Sequence, residues 1–227
     1  MFTSIGTVRA PEESARAFAY RVLSFYIREL LLRPGEKLVE TDVAQVLQIS
    51  RTPVHDTFAR LAREKLLCPV PRGAVVPPLD PDAIRQLIWM YRTTNLAVLG
   101  ELYTSHPASL EPLEHCVSKE YEALRSGALL KMARLEQEFL TELYRLADYL
   151  PVLGALRHTG ADLYRLLRIL EDARMWGYIV DCHARLVQAL AVRDHDAAAA
   201  ALNAEYDLFE PLLEECRYTY PGFFAQD

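Results

Sequence analysis

From Asp80 to the end of the chain, apolar residues recur at helical spacing almost without interruption. The pattern predicts helices over 81–104, 109–126, 128–148, 151–170, 172–192 and 196–218, with breaks at His106-Pro107, Ser126-Gly127, Leu150-Pro151 and Asp194. Helices joined by connections this short pack antiparallel, so residues 79–227 are expected to form an all-helical antiparallel bundle. No βαβ rhythm, phosphate-cradling Gly-rich loop or fixed-period repeat is present, and the Ala197–Ala201 run reads as close helix packing. Hydrophobic residues make up 51% of the 227, which is ample for a core. No stretch reaches the roughly 18–20 apolar residues of a membrane span, and Met1–Gly6 lacks the features of a secretion signal. Cys68, Cys116, Cys182 and Cys216 stand far apart with no CxxC pair, as in a protein that keeps its thiols reduced. A soluble, cytoplasmic chain with no membrane partner is expected.

The first 78 residues are organised differently. Phe18, Val22, Phe25, Tyr26 and Leu30 mark an amphipathic helix over 11–32, which Arg33-Pro34-Gly35 ends. A short helix over 41–47 buries Val43, Ala44 and Leu47. Ser50 suits an N-cap and Pro53 a first turn for a third helix, which buries Val54, Phe58 and Leu61. Residues 67–76 then read as two short strands about a turn at Pro71-Arg72-Gly73, and Pro77-Pro78 marks a boundary. Three helices and a hairpin make a winged helix-turn-helix. The fold class is therefore mainly α: an N-terminal winged helix-turn-helix over 1–78 and a C-terminal helical bundle over 79–227.

The charge follows the same division. The net charge is −6 overall, yet residues 1–78 carry +3 and the remainder −9. A basic module on an acidic body fits a nucleic-acid reader tethered to something else, although a solvated basic face would look the same. The third helix turns Arg51, Thr52, His55, Asp56 and Ala59 away from its apolar face, the side that can enter a major groove. Arg51 can donate two bonds to guanine, and Thr52 can meet a base edge or a phosphate. Arg60, Arg63 and Arg72 are placed for phosphates, while Thr41 and Gly73 complete the DNA-facing set.

The run Leu32-Arg33-Pro34-Gly35-Glu36-Lys37-Leu38-Val39-Glu40, followed by Val43-Ala44, Ile49-Ser50-Arg51-Thr52-Pro53-Val54, Leu61 and Leu66, resembles the DNA-binding domain of GntR-family transcription regulators. About forty residues in register carry the likeness, more than one short motif could. It implies a homodimer that reads a palindromic operator in double-stranded DNA, usually as a repressor. The family commonly has Arg where His55 stands, Glu where Asp56 stands, and often Arg where Thr41 stands. A protonated His55 would add a charge, so operator affinity is expected to rise as pH falls through about 6.5, less so in His55→Gln.

Four predicted bundle helices turn an ionisable group toward their apolar side: Arg92, Glu136, His183 and Glu205. Buried charges must meet one another, a metal, water or a ligand. Their order resembles the FCD ligand-binding domain of the FadR branch. That likeness places Glu136 on the family's Asp, Leu140 on its first His, His183 on the second and Glu205 on the third. One reading is a divalent ion (Mn, Mg or Zn) held by Glu136, His183 and Glu205; another is direct binding of a small effector, expected to be an organic acid, whose carboxylate or phosphate Arg92 clamps. A third reading is a structural cluster in which Arg92 pairs with Glu136 or Glu205. Tyr144, Tyr178 and Tyr206 are candidates to line the pocket, and His106, His115, His158 and His195 show no partner pattern.

The expected function is a ligand-responsive regulator, most simply a repressor, and not an enzyme. A carboxylate–His metal site could activate water in principle, but no base or nucleophile arrangement accompanies it and the DNA module would go unexplained. A metal-free interaction protein on the same bundle is the other alternative.

Overall fold

The computed structural model describes residues 8–105, 107 and 109–225. His106 and Met1–Gly6 lie outside the described residues. Two compact units emerge: one comprises the described residues up to Asp80 together with the segment from Tyr220, and the other is Pro81–Thr219.

The first unit begins with helix α1 (Ala15–Arg28), shorter than the 11–32 expected. Ser14 Oγ accepts from the Ala17 amide and starts it. Leu30, at φ 56°, turns the chain out of it, and the Leu32 amide closes back on the Tyr26 carbonyl. Helix α2 (Glu40–Leu47) ends the same way at Gln48, with φ 54°. Helix α3 (Arg51–Arg63) follows, burying Val54, Thr57, Phe58 and Leu61 against α1 and α2. Ser50 has the extended backbone of an N-cap, but its side chain makes no capping bond, contrary to expectation.

The wing has three strands rather than two. Strand β1 (Lys37–Leu38) pairs antiparallel with β3 (Gly73–Val75), which also pairs with β2 (Cys68–Val70), in the order β1-β3-β2. The tail returns to this unit as well: the Leu79 amide donates to the Phe223 carbonyl at 2.8 Å, and the Ala225 amide to the Leu79 carbonyl at 2.9 Å.

The second unit contains seven helices among the described residues: α4 (Pro81–Ser105), α5 (Glu111–Arg125), α6 (Met132–Leu146), α7 (Leu150–Thr159), α8 (Ala161–Ile169), α9 (Ala173–Ala191) and α10 (His195–Thr219). The helix expected over 151–170 is split at Gly160. There an added Cβ would lie 2.8 Å from the Leu156 carbonyl oxygen and 2.8 Å from the Tyr91 ring. Long α10 packs against α9 and α4, and α5 against α6 and α9, so a common core forms around α9 and α10. Within the Ala197–Ala201 run only Ala198 and Ala201 are buried. Among the described residues no helix is long and apolar enough to cross a membrane.

Candidate functional site

Helix α3 presents a polar row to solvent. Arg51, Thr52, His55 and Ala59 are all exposed, the side chains of Arg51 and His55 at 69% and 67%. Both are tied down at their inner side by one residue. Glu40, the first residue of α2, accepts from Arg51 Nε at 2.8 Å through one carboxylate oxygen, and the other lies 2.8 Å from His55 Nδ1. The bond to His55, then that to Arg51, holds the Glu40 carboxyl below its ordinary range, so it is ionised at neutral pH. Glu40 lies inside the motif quoted above but drew no role there; an acid at the start of one helix, facing a reader on the next, was the available signal.

The other expected DNA contacts separate into three kinds. Arg63 and Arg72 are exposed and make no ion pair among the described residues, and Thr41 is exposed at the start of α2. Arg60 is different. Its guanidinium lies 3.5 Å over the Tyr20 ring, and its Nε donates to Glu64 at 2.9 Å, so its charge is already engaged within the unit. Gly73 serves geometry: at φ 148°, an added Cβ would sit 2.1 Å from the Leu38 carbonyl oxygen. The bare position lets β1 lie against β3.

In the second unit, Glu136 of α6, His183 of α9 and Glu205 of α10 are buried close together, and Glu120 of α5 joins them. His183 Nδ1 lies 2.9 Å from one Glu120 oxygen and 3.1 Å from the other. The His183 ring stacks on Phe139 at 3.9 Å. Its Nε2 stands 3.5 Å from Glu205 Oε2 and, like Glu205 Oε1, is buried without a hydrogen-bond partner. Burial alone would lower the imidazole pKa, but the charges of Glu120 and Glu205 outweigh it and carry the pKa well above its ordinary value. Burial, reinforced by the charge of Glu205, pushes Glu136 up to about 7, while Gln137 donates to its carboxyl at 2.8 Å.

Three expectations about this cluster need correction. Arg92 is not in it. Its Nε donates to Asn203 at 2.8 Å and its Nη1 to Asp207 at 2.7 Å, on the half-exposed seam of α4 and α10. Tyr144 and Tyr206 are buried but spent on structure: the Tyr144 hydroxyl donates to Asn95 at 2.6 Å, and the Asn95 amide donates to the Tyr206 hydroxyl at 2.7 Å. Tyr178 is exposed. The donor set also does not fit the ion that the FCD likeness implies. Leu140 supplies hydrocarbon where the likeness calls for a ligand. Among the described residues no group of three or more His, Cys, Asp or Glu side chains is arranged to hold a metal. Glu120 was missed although Leu113, Cys116, Val117 and Ala123 place it on an apolar stripe, the signal that picked out Glu136. His115, His158 and His195 are exposed.

Residues 15–76 match the sequence profile described as bacterial regulatory proteins, gntR family, and residues 101–207 match that of the FCD domain. The chain belongs to the GntR family. This GntR-family chain is 26% identical over 214 residues to an HTH-type transcriptional regulator from an unstable DNA locus of Streptomyces ambofaciens, covering 92% of this chain and 89% of that one. It is 22% identical over 227 residues to the HTH-type transcriptional repressor RspR of Escherichia coli K12, with 99% and 100% covered. The fold is shared with E. coli McbR/YncC, at TM-score 0.75, 16% identity and 89% and 98% coverage. It is also shared with a GntR regulator from Rhodococcus sp. RHA1, at 0.76, 19%, and 88% and 97%. The GntR-family chain is thus a transcriptional regulator with an FCD domain, and not an enzyme. The FCD match spans Glu120, Glu136, His183 and Glu205 and leaves out Arg92.

Proposed function

We propose that this GntR-family chain is a cytoplasmic repressor that binds a palindromic operator as a homodimer and releases it when a small organic acid enters the helical unit. The observation that carries the reading is the solvent-facing row Arg51, Thr52 and His55 on α3, with Arg63 and Arg72 exposed and in no ion pair among the described residues, available for phosphates. For the effector, His183 takes the role first expected of Arg92. Its Nε2, buried without a hydrogen bond and only 3.5 Å from Glu205, is the cationic donor that a carboxylate would meet, and Glu205 is the group that would give way. An acid that binds one arrangement of the helical unit better than another shifts the population toward it, and operator affinity follows.

The test is retention of genomic duplex fragments by the full chain, followed by challenge with a panel of organic acids. The parent is expected to hold a discrete set of fragments and to release them with at least one acid. Arg51→Ala should lose the selectivity, and His183→Asn should keep DNA binding while losing release. Retention without selectivity in the parent, or release undiminished in His183→Asn, would overturn the reading.

A further inference from the structure

The Glu40 clamp determines more than the direction in which His55 points. An ionised carboxylate only accepts hydrogen bonds, so the 2.8 Å contact requires His55 Nδ1 to carry the proton. In the neutral ring Nε2 is then the bare nitrogen, an acceptor, and it makes no hydrogen bond among the described residues. An acceptor pairs in the major groove with an amino group, cytosine N4 or adenine N6. Guanine offers only the acceptors N7 and O6 on that edge.

From this geometry we infer that Glu40 is a specificity-positioning residue: by holding the proton of His55 on Nδ1, it makes residue 55 select adenine or cytosine and reject guanine. The inference rests on the proposed groove-reading role of α3. Arg51 behaves in the opposite sense. With its Nε taken by Glu40, its two terminal amino groups still form an end-on pair of donors, suited to guanine O6 and N7. One carboxylate thus presents a donor pair and, one helical turn later, an acceptor. Neighbouring positions of the half-site are read with opposite polarity.

Selection from a randomised duplex library at pH 8, where an imidazole is ordinarily neutral, tests this with the full chain in parent, His55→Arg and Glu40→Gln forms. His55→Arg should select guanine at one position, which marks the contacted strand. There the parent should favour adenine or cytosine over guanine roughly fivefold, the worth of about one hydrogen bond. Glu40→Gln, whose amide can donate to Nδ1 and so release the ring from one tautomer, should flatten that preference to about twofold or less while still enriching duplexes. A parent that selects the same guanine, an unchanged motif in His55→Arg, or an undiminished preference in Glu40→Gln would overturn the inference. A parent that enriches no sequence at all would instead overturn the DNA-reading role beneath it.

Discussion

Glu136 illustrates how far a residue's chemistry depends on what surrounds it. Its carboxyl is buried near Glu205, and its pKa of about 7 lies above the ordinary 4.5. A raised pKa means that the folded chain binds this proton more tightly than the unfolded chain does. The stabilisation is therefore complete below about 4.5 and is lost as pH rises through about 7. His183 acts in the same direction at higher pH, because its raised pKa makes the ion pair with Glu120 weaken as the ring deprotonates. Glu136→Gln, which keeps an acceptor for Gln137 without the charge, should melt higher than the parent at pH 8 and lose much of the decline between pH 5 and pH 8. Melting followed by circular dichroism checks this, and a decline of equal size in both would count against the assignment. Glu136, His183 and Glu205 could be found in the sequence because each interrupts a regular apolar stripe. Arg92 was misassigned by the same rule. A step of four residues from Ile88 moves roughly 40° around the helix, so Arg92 lies at the edge of the stripe, where a long side chain reaches outward to Asp207. Because that pair is partly exposed, Arg92→Ala should cost less than about 1 kcal/mol in urea unfolding.

Helices and strands differed in how far their residues announced them. Apart from α7 and α8, which read as one helix over 151–170, the helices of both units carry enough periodic positions to be recognised, although their ends depend on single residues such as Ser14, Leu30 and Gln48. Strand β1 has only two residues, too few for any alternation, and exists because its partner offers a bare Gly73. The break between α7 and α8 has a similar origin. Gly160 lies against the Tyr91 ring, a contact between helices far apart in sequence that no local pattern contains. Both glycines give firm expectations. Gly73→Ala must adopt a backbone angle that L-residues rarely take and push Cβ into the Leu38 carbonyl, so it should cost about 2–4 kcal/mol and unpair the wing. Gly160→Ala meets one backbone atom and one ring, so a smaller loss of about 1–3 kcal/mol is expected as Tyr91 shifts. Denaturant unfolding measures both, and hydrogen exchange at the Val75 and Val76 amides separates loss of the wing from loss of the whole unit.

For the molecule as a whole, charge decides how it meets DNA. Residues 1–78 carry +3 against −9 for the remainder, so any polyanion is attracted to the reader and repelled by the body. Such attraction works through counterion release, and each neutralised phosphate adds about 0.9 to the slope of log affinity against log salt. Only cations without a partner in the protein can contribute a full unit. Arg63 and Arg72 meet that condition among the described residues, whereas Arg60 spends its charge on Glu64 and the Tyr20 ring. Arg63→Ala and Arg72→Ala should therefore each lower the slope by about one, measured from about 50 to about 200 mM salt, and weaken binding to all sequences alike. Arg60→Ala should change the slope far less, and should show its effect instead as lost stability, because it uncovers a buried Glu64 carboxylate. Equal slope changes in all three variants would mean that Arg60 leaves its partners when DNA arrives, which would also expose Glu64 at the base of the reading helix.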